Sequence, residues 1–93
     1  MANDFTVPGV LRMDTAAVVS TTLKFKISHI RLVPGAAAAT AEFRNGADQI
    51  IAQLAAAANG NSDEVWFTPP RIFTGLELKT IAGAGAQAYV YCE

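Results

Sequence analysis

Residues 34–46 read PGAAAATAEFRNG, and how this stretch folds decides the fold class. Four successive alanines favour a helix by intrinsic propensity, but propensity is a weak prior that context overrides. Residues 36–44 lie between two turn dipeptides, Pro34-Gly35 and Asn45-Gly46. A helix there would have only about two and a half turns, with no Ser, Thr, Asp or Asn at its start as a cap. Taken with period two, Ala37, Ala39, Ala41 and Phe43 fall on one side, and Ala38, Thr40, Glu42 and Arg44 on the other. One face is apolar and the other ends polar, the pattern of a half-buried strand. Asn45-Gly46 is also a strong hairpin signal, since both residue types tolerate positive φ. The stretch therefore reads as a strand entering a hairpin.

Outward from it, turn signals recur at Pro34-Gly35, Asn45-Gly46, Asn59-Gly60, Pro69-Pro70, Thr74-Gly75 and Gly83–Gly85. Their spacing of about ten residues is that of short strands in a sandwich or barrel. Leu23, Phe25 and Ile27 alternate, then Ile30 and Leu32 continue in the opposite phase. A bulge near Ser28-His29 would produce that switch. Glu64–Thr68 (EVWFT) is rich in β-formers. Leu76–Ile81 (LELKTI) and Ala86–Cys92 (AQAYVYC) flank a glycine-rich link and read as a closing hairpin. Gln49–Ala58 (QIIAQLAAAA) fits a strand through Ile50, Ala52, Leu54 and Ala56. It equally fits a helix through Ile50, Ile51, Leu54, Ala55 and Ala58. The strand is preferred because Asn45-Gly46 calls for a partner strand. The fold class expected is all-β: a single small antiparallel β-sandwich or jelly-roll-like barrel over residues 23–93. Residues 1–22, with little alternation, are expected to form an irregular N-terminal arm or edge segment.

The chain has 93 residues and a mass of 9.8 kDa, the size of one domain. Area scaling gives a folded surface of roughly 5,200 Å² against roughly 14,000 Å² unfolded, enough burial for one modest core. Apolar residues make up 52%, but 18 are alanine, leaving 30 larger ones to build that core. Charged residues are 16%, below the usual ~25%, and the net charge is −1. Such a surface suits a protein covered by neighbours better than a solitary monomer. An oligomer or a larger assembly is therefore expected. Lys24, Lys26, Arg31 and Arg44 are scattered among acids, so no nucleic-acid partner is expected. A single cysteine, Cys92, rules out an internal disulfide framework. MANDFTVPGV shows no basic n-region or apolar core of a signal peptide, and no apolar run approaches the ~20 residues of a membrane span. The expectation is a protein without membrane association, made in a cytosol.

Chemical motifs are sparse. Gly83-Ala84-Gly85-Ala86-Gln87-Ala88 matches a GxGxxA dinucleotide pattern, but that site needs a helix directly after it and an acid about 20 residues on. Ala86–Cys92 instead alternates as a strand, so the glycines read as a turn. His29 is the sole histidine, without a second ligand at metal-binding spacing or a partnered nucleophile. Cys92 reads as a small hydrophobe. Asn59, Asn61, Asp63 and Glu64 resemble part of a calcium loop, but Glu64 stands where the turn glycine belongs and no bidentate acid comes after it at the right distance. No catalytic, cofactor-binding or metal residues are expected. Trp66, Phe67, Pro69, Pro70, Ile72 and Phe73 form the most aromatic stretch and are the candidate interface residues. Alternation lets only one of Trp66 and Phe67 point inward.

Two segments, KISHIRLVPGAAAATAEFRNGADQIIAQL and VWFTPPRIFTGLELKTIAGAGAQAYVYCE, resemble small structural proteins of tailed bacteriophages. The shared features are an alternating strand ending in an NG-type turn, a PP…F-x-G-L stretch and a terminal strand of vY type. The resemblance spans roughly residues 23–93. It implies a non-enzymatic β-sandwich component of the virion, most simply a head decoration (cement) protein, made in the host cytoplasm. Implied partners are the major capsid protein or a tail protein, and the resemblance also implies a homo-oligomer, with a trimer favoured. Alternatives are a minor tail, baseplate or fibre component, or a small binding module that recognises a host-surface glycan. A small enzyme is a further class, for which no polar cluster is visible.

Overall fold

The computed structural model describes residues 9–92, and every regular element in them is a strand. The strands are β1 (Val10–Met13), β2 (Ala17–Val33), β3 (Ala39–Arg44), β4 (Ile50–Ala56), β5 (Asp63–Ala82) and β6 (Gln87–Cys92). They form one antiparallel sheet in the order β1-β6-β2-β5-β3-β4. The alanine stretch is a strand: Ala39, Ala41 and Phe43 are buried, while Thr40, Glu42 and Arg44 lie on the solvent side. It pairs with β4, where Ala52 and Leu54 point inward. Both alanine-rich segments therefore take strand geometry despite their propensity. Each supplies the other's backbone partners, and small side chains let the inner faces approach closely.

Two strands are too long to be straight. At about 3.3 Å per residue the 20-residue β5 would span roughly 66 Å, yet the longest dimension of the molecule is 34 Å. The bends sit where the β2–β5 register breaks. Between the pairs Ile27↔Arg71 and His29↔Trp66, β2 supplies only Ser28 while β5 supplies residues 67–70. Pro69 and Pro70 lack the N–H a ladder needs, which is why the pairing lapses there. Between Ser20↔Leu76 and Lys24↔Thr74, Thr21, Thr22 and Leu23 of β2 face Gly75 alone. The sheet thus has two limbs. One holds β1, β6, the end of β2 and the start of β5. The other holds the start of β2, the end of β5, β3 and β4. Their inner faces share one core, with Met13, Ile30, Leu32 and Val90 from the first and Phe43, Leu54, Leu76 and Leu78 from the second. The bulge expected at Ser28-His29 is present in both ladders of β2.

Four expectations need correction. First, of the irregular arm or edge segment expected over residues 1–22, the described part is regular: β1 is an edge strand paired with β6, and the boundary at 22/23 falls inside β2. Leu11 and Met13 alternate inward, but four residues are too few for a visible period. Residues 1–8, the rest of the expected arm, lie outside the described residues. Second, β5 and β6 are not a closing hairpin, since β2 lies between them and takes the pairing of both. Third, Pro69-Pro70 and Thr74-Gly75 are bends within one strand rather than turns between strands. Fourth, the hairpin at Asn45-Gly46 is real, but its positive φ falls on Asp48 (62°). Asn45 organises the loop through its side chain, whose Oδ1 accepts from the backbone N–H of Ala47 and Gln49 at 3.0 and 2.9 Å.

Gly46 is needed for space. A Cβ there would lie 2.3 Å from the Thr21 carbonyl oxygen, and one on Gly75 would lie 2.5 Å from Gly46 Cα. The Gly46 N–H donates to the Thr74 carbonyl at 2.8 Å. The β3–β4 turn is thereby seated in the bend between the limbs. On the outer face of β3, Glu42 accepts from Gln53 (3.0 Å) and Arg44 (2.6 Å), and these bonds hold its carboxyl below the usual range.

Candidate functional site

The bulge at Ser28 decides what β2 presents to solvent. By absorbing one residue it keeps Ile27, Ile30 and Leu32 inward and turns His29 and Arg31 outward. His29 lies opposite Trp66 of β5 and Tyr91 of β6. Directly opposed side chains on neighbouring strands lie about 4.5–5.5 Å apart, close enough for rings to stack. They do: the imidazole sits between the two rings, with centroids 4.0 Å from each and planes within 14° of Trp66 and 13° of Tyr91. Tyr89 continues the aromatic surface 6.4 Å from Tyr91. The adjoining row is Glu64, Arg31 and Tyr89, each on its own strand. The Arg31 Nε and NH2 groups both meet Glu64 Oε2, at 2.9 and 2.8 Å. The outer face of the first limb therefore carries a ring stack beside an ion pair.

Hydrogen bonding settles the imidazole's tautomer. Ser28 Oγ donates its one proton to the Tyr91 carbonyl at 3.1 Å. Its 3.3 Å contact with His29 Nδ1 then requires Nδ1–H as the donor. Nε2 of the neutral ring is left as an acceptor. Burial in the stack lowers the His29 pKa; Glu64 opposes this shift and Arg31 reinforces it. Trp66, at the end of the stack, remains 60% exposed.

The six candidate interface residues do not form one surface. Trp66 faces solvent on the first limb. Phe67 is half-buried and meets Phe73 edge-on at 5.3 Å, and Phe73 belongs to the core. Pro69 is exposed and Pro70 half-buried at the bend. Ile72, 64% exposed, lies on the second limb and lines a groove of about 380 Å³ with Asn45, Ile50 and Arg71. His29, Tyr89 and Tyr91 were not among the candidates. The alternation of Tyr89, Val90 and Tyr91 does place both tyrosines opposite a core valine. Their meeting with His29 depends on a register that spans distant parts of the chain.

Among the described residues no group of three or more His, Cys, Asp or Glu is placed to hold a metal. The polar stretch before β5 is engaged with the protein. Asn59 adopts φ 52° and its N–H donates to the Gly35 carbonyl, Asp63 Oδ2 accepts from the Ala55 N–H at 3.0 Å, and Glu64 pairs with Arg31. Gly83 and Gly85, both at positive φ, make a turn that leads into β6, so no helix N-terminus is formed to receive a pyrophosphate. Cys92 is half-buried, and burial raises its thiol pKa. Comparisons with protein-family models, curated proteins and solved structures return no significant match.

Proposed function

We propose that this protein is a non-enzymatic structural component of a bacteriophage virion, a head decoration (cement) protein that acts through oligomeric contacts with a capsid surface. The observation that supports this reading most is the distribution of exposed apolar side chains. Of the five large ones among the described residues, Val18, Leu23, Ile50 and Ile72 lie on the second limb, and Ile50 and Ile72 share one groove. Burying a side chain of this kind fully contributes about 1.5–3 kcal/mol, so a few per subunit suffice when many copies bind together. The limb also ends in β4, which has β3 on one side and no strand on the other among the described residues. Apart from the Ala55 N–H, which Asp63 Oδ2 takes, an edge of that kind can accept a strand from a neighbour.

The test is the solution mass by size-exclusion chromatography with light scattering. A trimer or larger closed oligomer is expected, and Ile50→Asp with Ile72→Asp should return it to a monomer. A parent protein that stays monomeric at high concentration would overturn the proposal.

A further inference from the structure

We infer that the open face of Trp66 is a binding platform for a neutral saccharide, stacked on the indole and held at its rim by Glu64. This site is on the opposite limb from the apolar groove and does not depend on the virion reading.

Residues 63–66 of β5 pair with β2 on one side, whereas β3 pairs only with residues 77–82. Among the described residues no strand pairs with residues 63–66 on their other side, although the Asp63 carboxylate is bonded to the Ala55 N–H of β4. His29 covers the indole face that looks toward β2, at 4.0 Å. The second indole face looks away from β2. Tryptophan is highly buried on average, so an isolated one 60% exposed is an unusual placement. It is also a fixed one. His29 is clamped by Tyr91 and bonded to Ser28, so the indole is backed by a rigid stack and loses little rotamer freedom when a ligand arrives.

The surroundings select the ligand. An aromatic face is electronegative and attracts the C–H face of a pyranose ring. The hydroxyls of such a ring need donors and acceptors around the rim. Glu64 lies two residues before Trp66 on the same side of β5, and its Oε2 takes both Arg31 contacts, which leaves Oε1 to accept from a hydroxyl. Charge argues against the other ligand that stacks on indole, a nucleobase on its phosphate chain. Arg31, on the strand opposite, is already paired with Glu64. A phosphate would find that cation neutralised, whereas a neutral polyhydroxylated ring needs none.

Trp66 is the only tryptophan, so its emission reports on this site. The full chain should be screened on an array of neutral pyranose oligosaccharides, and hits titrated in solution by Trp66 emission and by calorimetry. At least one neutral glycan is expected to bind and to shift the emission. Trp66→Ala should weaken calorimetric binding about tenfold or more, equivalent to ~1.4 kcal/mol. Trp66→Phe should retain part of the affinity, and Ile72→Asp, on the other limb, all of it. If no neutral glycan binds, the inference fails. It fails equally if Trp66→Ala, folded by circular dichroism, binds as tightly as the parent. An oligodeoxythymidylate that shifts the emission while no glycan does would reassign the platform to nucleobases.

Discussion

Three glycine-to-alanine substitutions separate backbone conformation from space. Gly85 and Gly75 have nearly the same φ, 78° and 81°. A Cβ on Gly85 would meet its nearest neighbour at an ordinary 3.5 Å, whereas one on Gly75 would lie 2.5 Å from Gly46 Cα and N. Gly46 lacks the positive φ but has the closest approach, 2.3 Å to the Thr21 carbonyl oxygen. Gly85→Ala therefore carries only the left-handed backbone cost, about 1–2 kcal/mol. In Gly46→Ala the turn must retreat by about 1 Å, the gap between 2.3 Å and the 3.4 Å at which ordinary contact begins. That retreat breaks the 2.8 Å bond from Gly46 N–H to the Thr74 carbonyl, worth about 0.5–1.5 kcal/mol, and adds about 1–3 kcal/mol of overpacking. Gly75→Ala combines both effects, at about 3–5 kcal/mol. It should therefore melt roughly 10–20 °C below Gly85→Ala, since the midpoints of the two costs differ by about 2.5 kcal/mol and each kcal/mol moves Tm by ~4–8 °C in a domain of this size. Urea titrations followed at Trp66 give the free energies directly. The Gly46/Gly75 double variant should cost less than the sum, because one retreat of the turn relieves both clashes. Gly75→Ala and Gly85→Ala agreeing within about 0.5 kcal/mol would refute the seating of the β3–β4 turn in the bend.

Two further outcomes concern titrating groups. The His29 pKa lies below its ordinary value of 6.5 in the folded protein, because burial in the stack disfavours the imidazolium. The unfolded chain then binds the proton first as pH falls. The contribution of His29 to stability is complete above pH 6.5 and is lost as pH drops through the folded value. The urea midpoint should decline on acidification through this range, and His29→Gln should remove that part of the decline. An NMR titration that places His29 at or above 6.5 would mean that the attraction of Glu64 outweighs burial. Cys92 should alkylate with iodoacetamide more slowly in the folded protein than in urea, since burial holds its thiol protonated; equal rates would contradict its half-buried position.

Much of the fold was legible because it depends on local pattern. Ala39, Ala41 and Phe43 share a face by period two alone. The phase switch between Ile27 and Ile30 marks the bulge, since an extra residue is the only way to keep both inside a strand of period two. Asn45-Gly46 announces a reversal whatever turn is finally used. The aromatic stretch at 66–73 was visible as a place of concentrated apolar area, but the faces its residues would occupy were not. Local pattern does not say that a strand of 20 residues will bend at Pro69-Pro70, and that bend sends Trp66 and Ile72 to different limbs while Phe73 enters the core.

The sequence by itself determined the class of the fold, the inward residues of β3, the bulge in β2 and the hairpin after Arg44. Each of these is set by side-chain alternation and turn chemistry over a few neighbouring residues. Only the tertiary structure decided strand order, the placement of β2 between β5 and β6, and the stacking of Trp66, His29 and Tyr91. Those three rings are brought together by two ladders whose partners lie 37 and 62 positions from His29 along the chain. Contacts of that range depend on which strands pair and in what register, and register is chosen by burial of the whole inner face at once.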